Sequence, residues 1–181
     1  ETRFLSDHVH AMGGYIDLYQ ATGGKPQLQR AEAVFEAIKR LFTAPDGGFY
    51  DTSGTGTSMP GIKPVLENAL LAEELIALAA ITEEVRYLDE ARSTLDAFSG
   101  VVPGRSYLGP PGARRMEEDE ERLFLPAASA WARAWNTMDS RPVHLVVVGD
   151  RAHRATKALV NAALKARTPG WAVQFLDPGI E

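Results

Sequence analysis

Apolar residues return along the first fifth of the chain at helical spacing. Val9, Met12, Ile16 and Tyr19 fall at i, i+3, i+7 and i+10, one stripe of an amphipathic helix. The pattern predicts a helix over Asp7–Thr22 with Ser6 as its N-cap. Gly13 and Gly14 lie inside it at a cost of about 1 kcal/mol each, which close approach of a neighbouring helix would offset. Gly23 and Gly24 then supply the left-handed stop. A second helix, Pro26–Phe42, repeats the stripe with Leu28, Ala31, Phe35, Ile38 and Phe42 over a charged opposite face, so it is expected to lie outermost.

A turn-rich segment, APDGGFYDTSGTGTSMPG, follows, in which only Gly48–Thr52 reads as a short strand. The third helix, Pro64–Thr82, is apolar nearly all round and is expected to be enclosed. The fourth, Glu84–Phe98, is one-sided again through Leu88, Ala91, Leu95 and Phe98. Leu18, Thr22, Leu28, Ala31 and Ala37 recur as Leu78, Thr82, Leu88, Ala91 and Ala97. The unit is therefore a hairpin of one inner and one outer helix, and such units stack into a solenoid or close into a ring. Glu120–Thr137 supplies a further inner helix.

Beyond Arg141 the period changes. VHLVVVGD is a continuous β-branched run and reads as a buried strand. RATKALVNAALKA sets Ala155, Leu159, Ala162 and Ala163 on one helical face, and WAVQFLDPG reads as a second strand closed by a turn. Strand, helix, strand implies a parallel crossover. Two parallel strands are unstable alone, so they are expected to pack on the helices or to be extended by further chain or a second copy. The expected fold is mostly α: a partial (α/α) toroid of stacked helical hairpins over residues 1–140, with a small C-terminal β-α-β appendage over 141–181.

Composition narrows the functions. The chain has 181 residues, 45% hydrophobic and 24% charged, with a net charge of −5, which disfavours wholesale nucleic-acid binding. With no cysteine, disulfides and thiolate chemistry are excluded within it. The longest apolar run, Leu75–Ile81, falls far short of the ~20 residues of a membrane span, and no signal peptide is visible, so a cytoplasmic protein is expected. The chain begins at Glu1 without Met, so a fragment of a longer or trimmed protein is expected.

Four segments carry a family resemblance. SDHVHAMGGYIDLYQATGGKPQLQRAEAVFEAI, GGFYDTS, KPVLENALLAEELIALAAITEEVRYLDEA and RPVHLVVVGDRAHRATKALVNAA occur in the order of similar segments in bacterial thioredoxin-domain-containing proteins related to spermatogenesis-associated protein 20. The resemblance covers nearly the whole chain. It implies a thioredoxin-like domain in the full-length chain, followed by an (α/α)₆ toroid akin to N-acylglucosamine 2-epimerases and six-hairpin glycosidases. This chain would be the last part of that toroid, without the redox domain. Where the family often has P-S-G-N-S, VLENAL keeps only Asn68, preceded by Glu67.

In such toroids the loops leading into the inner helices line a funnel. The repeat sets Asp7 opposite Glu67 and His8 opposite Asn68, four candidate catalytic residues for acid/base work on a sugar. Tyr50, Asp51, Lys63, Glu121 and Arg122 are candidate ligand-binding residues of the same rim. The plainer reading is that first-turn carboxylates meet the helix dipole. His8 and His10 are two apart and point differently, so no metal site is expected, and no cofactor. Trp131 and Trp135 share a face and are expected in the core. His144 is expected to be structural and His153 at the surface. GTGTSMPGIK lacks the ending of a phosphate loop and reads as a mobile rim loop. Met116–Glu121 lacks calcium-loop spacing, and VVVGD lacks a dinucleotide fingerprint. The leading expectation is an accessory, non-catalytic region. A sugar epimerase or glycosidase with a carbohydrate ligand stands second, and a helical-repeat scaffold for protein partners third. A ring cut to two and a half hairpins would expose inner-helix flanks, so a homodimer is expected.

Overall fold

The computed structural model describes residues 2–54, 61–99, 118–140, 143–166 and 171–179, with the backbone alone over 118–124. It contains α1 (Leu5–Thr22), α2 (Lys25–Phe42), α3 (Val65–Thr82), α4 (Val85–Asp96), α5 (Glu118–Asp139), β1 (Val143–Val148), α6 (Arg154–Ala166) and β2 (Trp171–Leu176). The mostly helical, hairpin-built fold expected from the periodicity is present.

Helices α1, α3 and α5 stand in a row, α3 packing on both others, while α2 backs α1 and α4 backs α3. The core is the shared seam: Val9, Met12 and Ile16 from α1, Phe35 and Ile38 from α2, Leu71 and Leu75 from α3, and Leu95 from α4. The outer helices touch through polar side chains. The Tyr87 hydroxyl donates to Glu32 Oε1 at 3.1 Å, and Lys39 pairs with Glu90 at 3.5 Å.

The two hairpins share their turn geometry. Gly23 ends α1 at φ 64° and its N–H donates to Tyr19 O; Glu83 ends α3 at φ 61° and donates to Ala79 O. Thr22 Oγ1 donates to Leu18 O at 2.6 Å, and Thr82 Oγ1 to Leu78 O at 2.8 Å. The environments of the repeat differ on one flank. Leu78 is 0% exposed, whereas its counterpart Leu18 is 51% exposed. Leu78 lies on the flank of α3 turned to α1, the side on which Glu74 meets Gly13, while Glu73 meets Arg133 of α5 on the other. Among the described residues no hairpin stands on the matching outer flank of α1.

Several local expectations are corrected. Ser6 is not the cap of α1: the helix starts at Leu5 after Phe4, with no side-chain cap. Its first N–H is taken instead by a loop carbonyl, Leu5 N–H donating to Asp51 O at 2.8 Å. Gly48–Thr52 forms no strand, only isolated bridges of Phe49 to Thr43 and Thr52 to Phe4. Of the two helical glycines, Gly13 is met closely, but by a carboxylate: a Cβ there would lie 2.7 Å from Glu74 Oε1 of α3. Gly14 has nothing within 4 Å.

Strands β1 and β2 pair in parallel, Val143 opposite Trp171 through Val148 opposite Leu176. Among the described residues they form a two-stranded sheet. β2 lies against α1 and α3, and Ala172, Val173 and Phe175 are buried. β1 is not the buried strand its composition suggested: none of its six side chains is buried, because it is the outer strand of the pair. In α6 the buried residues are Thr156 and Val160. The apolar stripe Ala155, Leu159 and Ala162 is exposed, and Ala163 is half-buried.

Candidate functional site

Helices α1 and α3 begin at one end of the molecule, and residues 42–54 and 61–63 are folded against it. Three chain ends are tied there by backbone bonds. Tyr50 N–H donates to Phe42 O at 2.7 Å, Ser53 N–H to Arg3 O at 2.9 Å, and Asp51 N–H to Ile62 O at 2.9 Å. The turn needs Gly48: φ is 70°, and a Cβ would sit 3.2 Å from Asn68 Oδ1.

Asn68 is the buried centre of this end, 0% exposed. Its Oδ1 accepts from Phe49 N–H at 2.8 Å, while Nδ2 donates to Phe49 O at 3.0 Å and to Pro64 O at 2.7 Å. A side-chain amide that returns both bonds of one residue mimics a strand partner, holding the loop to α3. Lys63 works beside it, donating to Asp46 Oδ2 at 2.8 Å and Gly47 O at 3.1 Å. The lysine bond, with a smaller contribution from its charge, holds the Asp46 carboxyl below the usual carboxylate range. The Tyr50 ring closes over Gly61, where a Cβ would fall 2.4 Å from Cδ1.

His8 occupies the repeat position equivalent to Asn68 and is likewise turned to its own hairpin. Its Nδ1 lies 2.8 Å from Phe4 O, and its ring meets Phe42 edge-on at 5.1 Å. His10 bonds Ser6 O at 2.7 Å. Asp7 and Glu67 lie in the first turns of α1 and α3, Asp7 exposed and Glu67 half-buried. Thus the loop is held by Asn68 at Phe49 and by Lys63 at Asp46 and Gly47. Its backbone ties Tyr50 to Phe42 and Asp51 to Leu5 and Ile62, and His8 packs on Phe42. The side chains of Glu121 and Arg122 lie outside the described residues, as do residues 55–60 of the expected rim loop, residues 116–117 and the side chains of 118–120. Trp131 and Trp135 are edge-to-face at 5.9 Å and packed against the core.

The opposite end of the inner helices carries the β-α-β unit, which local patterning does not position. Gln20, 1% exposed, accepts from Val173 N–H through Oε1 at 2.9 Å. Gln174 Nε2 donates to the Tyr19 hydroxyl at 3.0 Å, and Arg151 donates to Thr22 O. Burial raises the Tyr19 phenol, the Gln174 bond opposing it. A cleft of about 350 Å³ remains between α1 and α6, lined by Thr22, Arg151, Lys157, Asn161 and Phe175 among others. His153 is exposed and its Nδ1 accepts from Ala155 N–H at the start of α6. His144 is half-buried in β1.

Rows of inner and outer helices joined as hairpins, with loops gathered over the inner N-termini, define the class of (α/α) toroid proteins. The fold of a GH76 alpha-mannanase from Bacteroides thetaiotaomicron matches at a TM-score of 0.52 and 18% identity, over 78% of this chain and 45% of that one. In sequence, the chain is weakly homologous to human spermatogenesis-associated protein 20, with 26% identity over 184 residues covering 96% of this chain. It spans 21% of the length of that protein and less than half of the mannanase. No family model matches the chain. Among the described residues no helix is long and apolar enough to cross a membrane.

Proposed function

We propose that this chain is an accessory segment of a larger helical toroid, without catalytic activity of its own. In this reading it builds part of the rim, and a further hairpin of a longer protein packs on α1. One observation carries the reading: α3 is enclosed, whereas the equivalent flank of α1 is open. That flank presents Ala11, Gly14 and Leu18, all exposed and spaced at i, i+3 and i+7, and ends at Ala21 in the cleft with α6, a surface on which a helix can approach closely. The polar residues of the rim support the same conclusion. Asn68 and Lys63 have their hydrogen-bonding capacity engaged by the loop itself, which is the work of a scaffold and leaves little for acid/base chemistry.

The test has two arms. Gly14→Leu in the isolated chain is expected to stabilise by about 0.5–1 kcal/mol, as glycine removal from an exposed helix does. The same change in the full reading frame is expected to destabilise, because the side chain meets the incoming helix. Stabilisation in both would remove the basis for a missing neighbour. In the second arm, mono- and disaccharides at millimolar concentration are expected to leave the melting temperature of the isolated chain unchanged. A saccharide-dependent rise that Asp7→Asn or Glu67→Gln abolishes would instead establish the alternative, a carbohydrate-active rim with those carboxylates in contact with the sugar.

A further inference from the structure

The β-α-β unit carries an unfinished surface that the toroid reading does not use. One edge of β2 is closed by Gln20, whose Oε1 takes the Val173 N–H. The outer edge of β1 pairs with no other strand among the described residues. Open edges are ordinarily guarded by charges, proline or a bulge. β1 reads Val-His-Leu-Val-Val-Val and pairs without interruption through all six positions, so none of these guards lies within the strand; in sequence Arg141 and Pro142 directly precede it.

Apolar side chains flank the edge on both faces of the sheet: Val146 and Val148 on the face of Gln174 and Leu176, where Val148 also lines a cleft with Gly23 and Pro26, and Leu159 of α6 on the other. Val146 is 46% exposed, Val148 64% and, on α6, Leu159 59%. The position of Leu159 follows from helix geometry. Lys157 and Asn161 line the cleft shared with Ala21 and Thr22 of α1, so they mark the α6 flank turned toward β2's outer side. At 100° per residue, Leu159 and Ala163 fall on the opposite flank of the buried Val160, the side of the free β1 edge. The stripe whose periodicity reads as a core face is therefore, among the described residues, a core face without a core.

We propose that this face joins a second copy of the chain, the two β1 strands pairing antiparallel about a two-fold axis to give a four-stranded sheet β2-β1-β1-β2. An open edge is completed by extended backbone, and β1 is self-complementary in that role. With the axis at Val146, that residue meets its own copy, Leu145 meets Val147, and His144 meets Val148. No ionised carboxylate or lysine faces a like charge at any step. The same axis sets the two α6 helices on one side of the sheet with their Leu159 flanks facing. It also closes the assembly, since Gln20 already occupies the other edge and no filament can grow. A six-residue strand is about 20 Å long and the helix above it adds about 10 Å of height, so the contact covers about 400 Å² of flat face per copy. Counted over both copies that is about 800 Å², below the roughly 1,200 Å² at which stable specific interfaces begin, so the pair is a weak, transient one.

The absence of cysteine permits a clean test. Val146→Cys is expected to give a disulfide-linked dimer under mild oxidation, because the axis brings the residue onto its own copy. Leu18→Cys, equally exposed but on α1, is expected to crosslink far more slowly. In sedimentation velocity the wild-type chain is expected to show a monomer–dimer equilibrium in the micromolar range. Val146→Lys and Val148→Lys, each checked for unchanged helical circular dichroism, are expected to weaken it by about tenfold or more. Val148 is the more exposed and serves if Val146→Lys fails to fold. A monomer at all concentrations, a dimer unaffected by a folded lysine variant, or faster crosslinking through Leu18→Cys would each overturn the proposal.

Discussion

The two ends of the inner helices are each sealed by one buried side-chain amide, and they differ in what that amide holds. At the loop end Asn68 makes three bonds, reaching 19 residues back to Phe49 and four to Pro64. At the sheet end Gln20 reaches 153 residues forward to a single N–H of β2. The first fastens a loop between two helices that already touch. The second fastens a separate unit whose docking must be found across most of the chain. Many short-range bonds make the loop end a fixed part of the helical body. A few long-range bonds make the sheet end a docked part.

That contrast orders the expected effects of substitution. Asn68→Ala leaves Phe49 N–H and Phe49 O without their buried partner, while Pro64 O keeps the backbone N–H of residue 68, and is expected to cost about 3 kcal/mol. For a chain of this size that lowers the melting temperature by roughly 6–12 °C. Gln20→Ala orphans one N–H and is expected to cost about 1–2 kcal/mol. Hydrogen exchange should locate its loss in β2 and α6, with α2 and α4 unchanged. Equal losses from both substitutions would erase the distinction between the ends.

The hairpin turns sharpen it further. Gly23 is the hairpin turn that abuts the sheet: a Cβ there would lie 2.8 Å from Phe175 O and 2.9 Å from Phe175 Cδ1. Gly23→Ala combines left-handed strain with that clash and is expected to cost about 2 kcal/mol. Glu83 holds the equivalent left-handed turn, at φ 61°, as a non-glycine residue, so Glu83→Gly is expected to stabilise by about 1 kcal/mol. Thermal melts of the two variants should move in opposite directions.

The smallest effect at neutral pH concerns neither end. Burial, then the Glu32 carboxylate, pushes the Tyr87 phenol up to about 12, against about 10 for an unfolded tyrosine. The neutral phenol is thus favoured by the fold. Its contribution is intact below pH 10 and is lost as pH rises through about 12. Tyr87→Phe is expected to flatten the loss of stability over that alkaline window, measured by denaturant midpoints at successive pH values.

Much of the helical body was legible because its signals are local. The stripes of α1 and α2, the all-round apolarity of α3 and the 60-residue repetition from Leu18 to Leu78 need only periodicity to be read. Asn68 stood out as the residue kept from a longer motif, but its burial under the loop did not. The candidate rim was legible as a set of residues near the inner N-termini, and not as a division of labour. That His8 would turn to Phe42 while Asn68 gripped Phe49 depends on which backbone groups the loop leaves unpaired.

The sequence alone determined where the helices and the two paired strands form and that the hairpins are built alike, because i, i+3 and i+4 spacing acts within one element. Only the tertiary structure decided that Gln20 meets Val173, that Glu83 adopts the left-handed turn, and that α6 buries Thr156 and Val160 in place of Leu159. These choices are set by the partner that an element reaches after the chain closes on itself. A periodic stripe specifies that a face is apolar; the contacts made across the whole fold specify what, if anything, covers it.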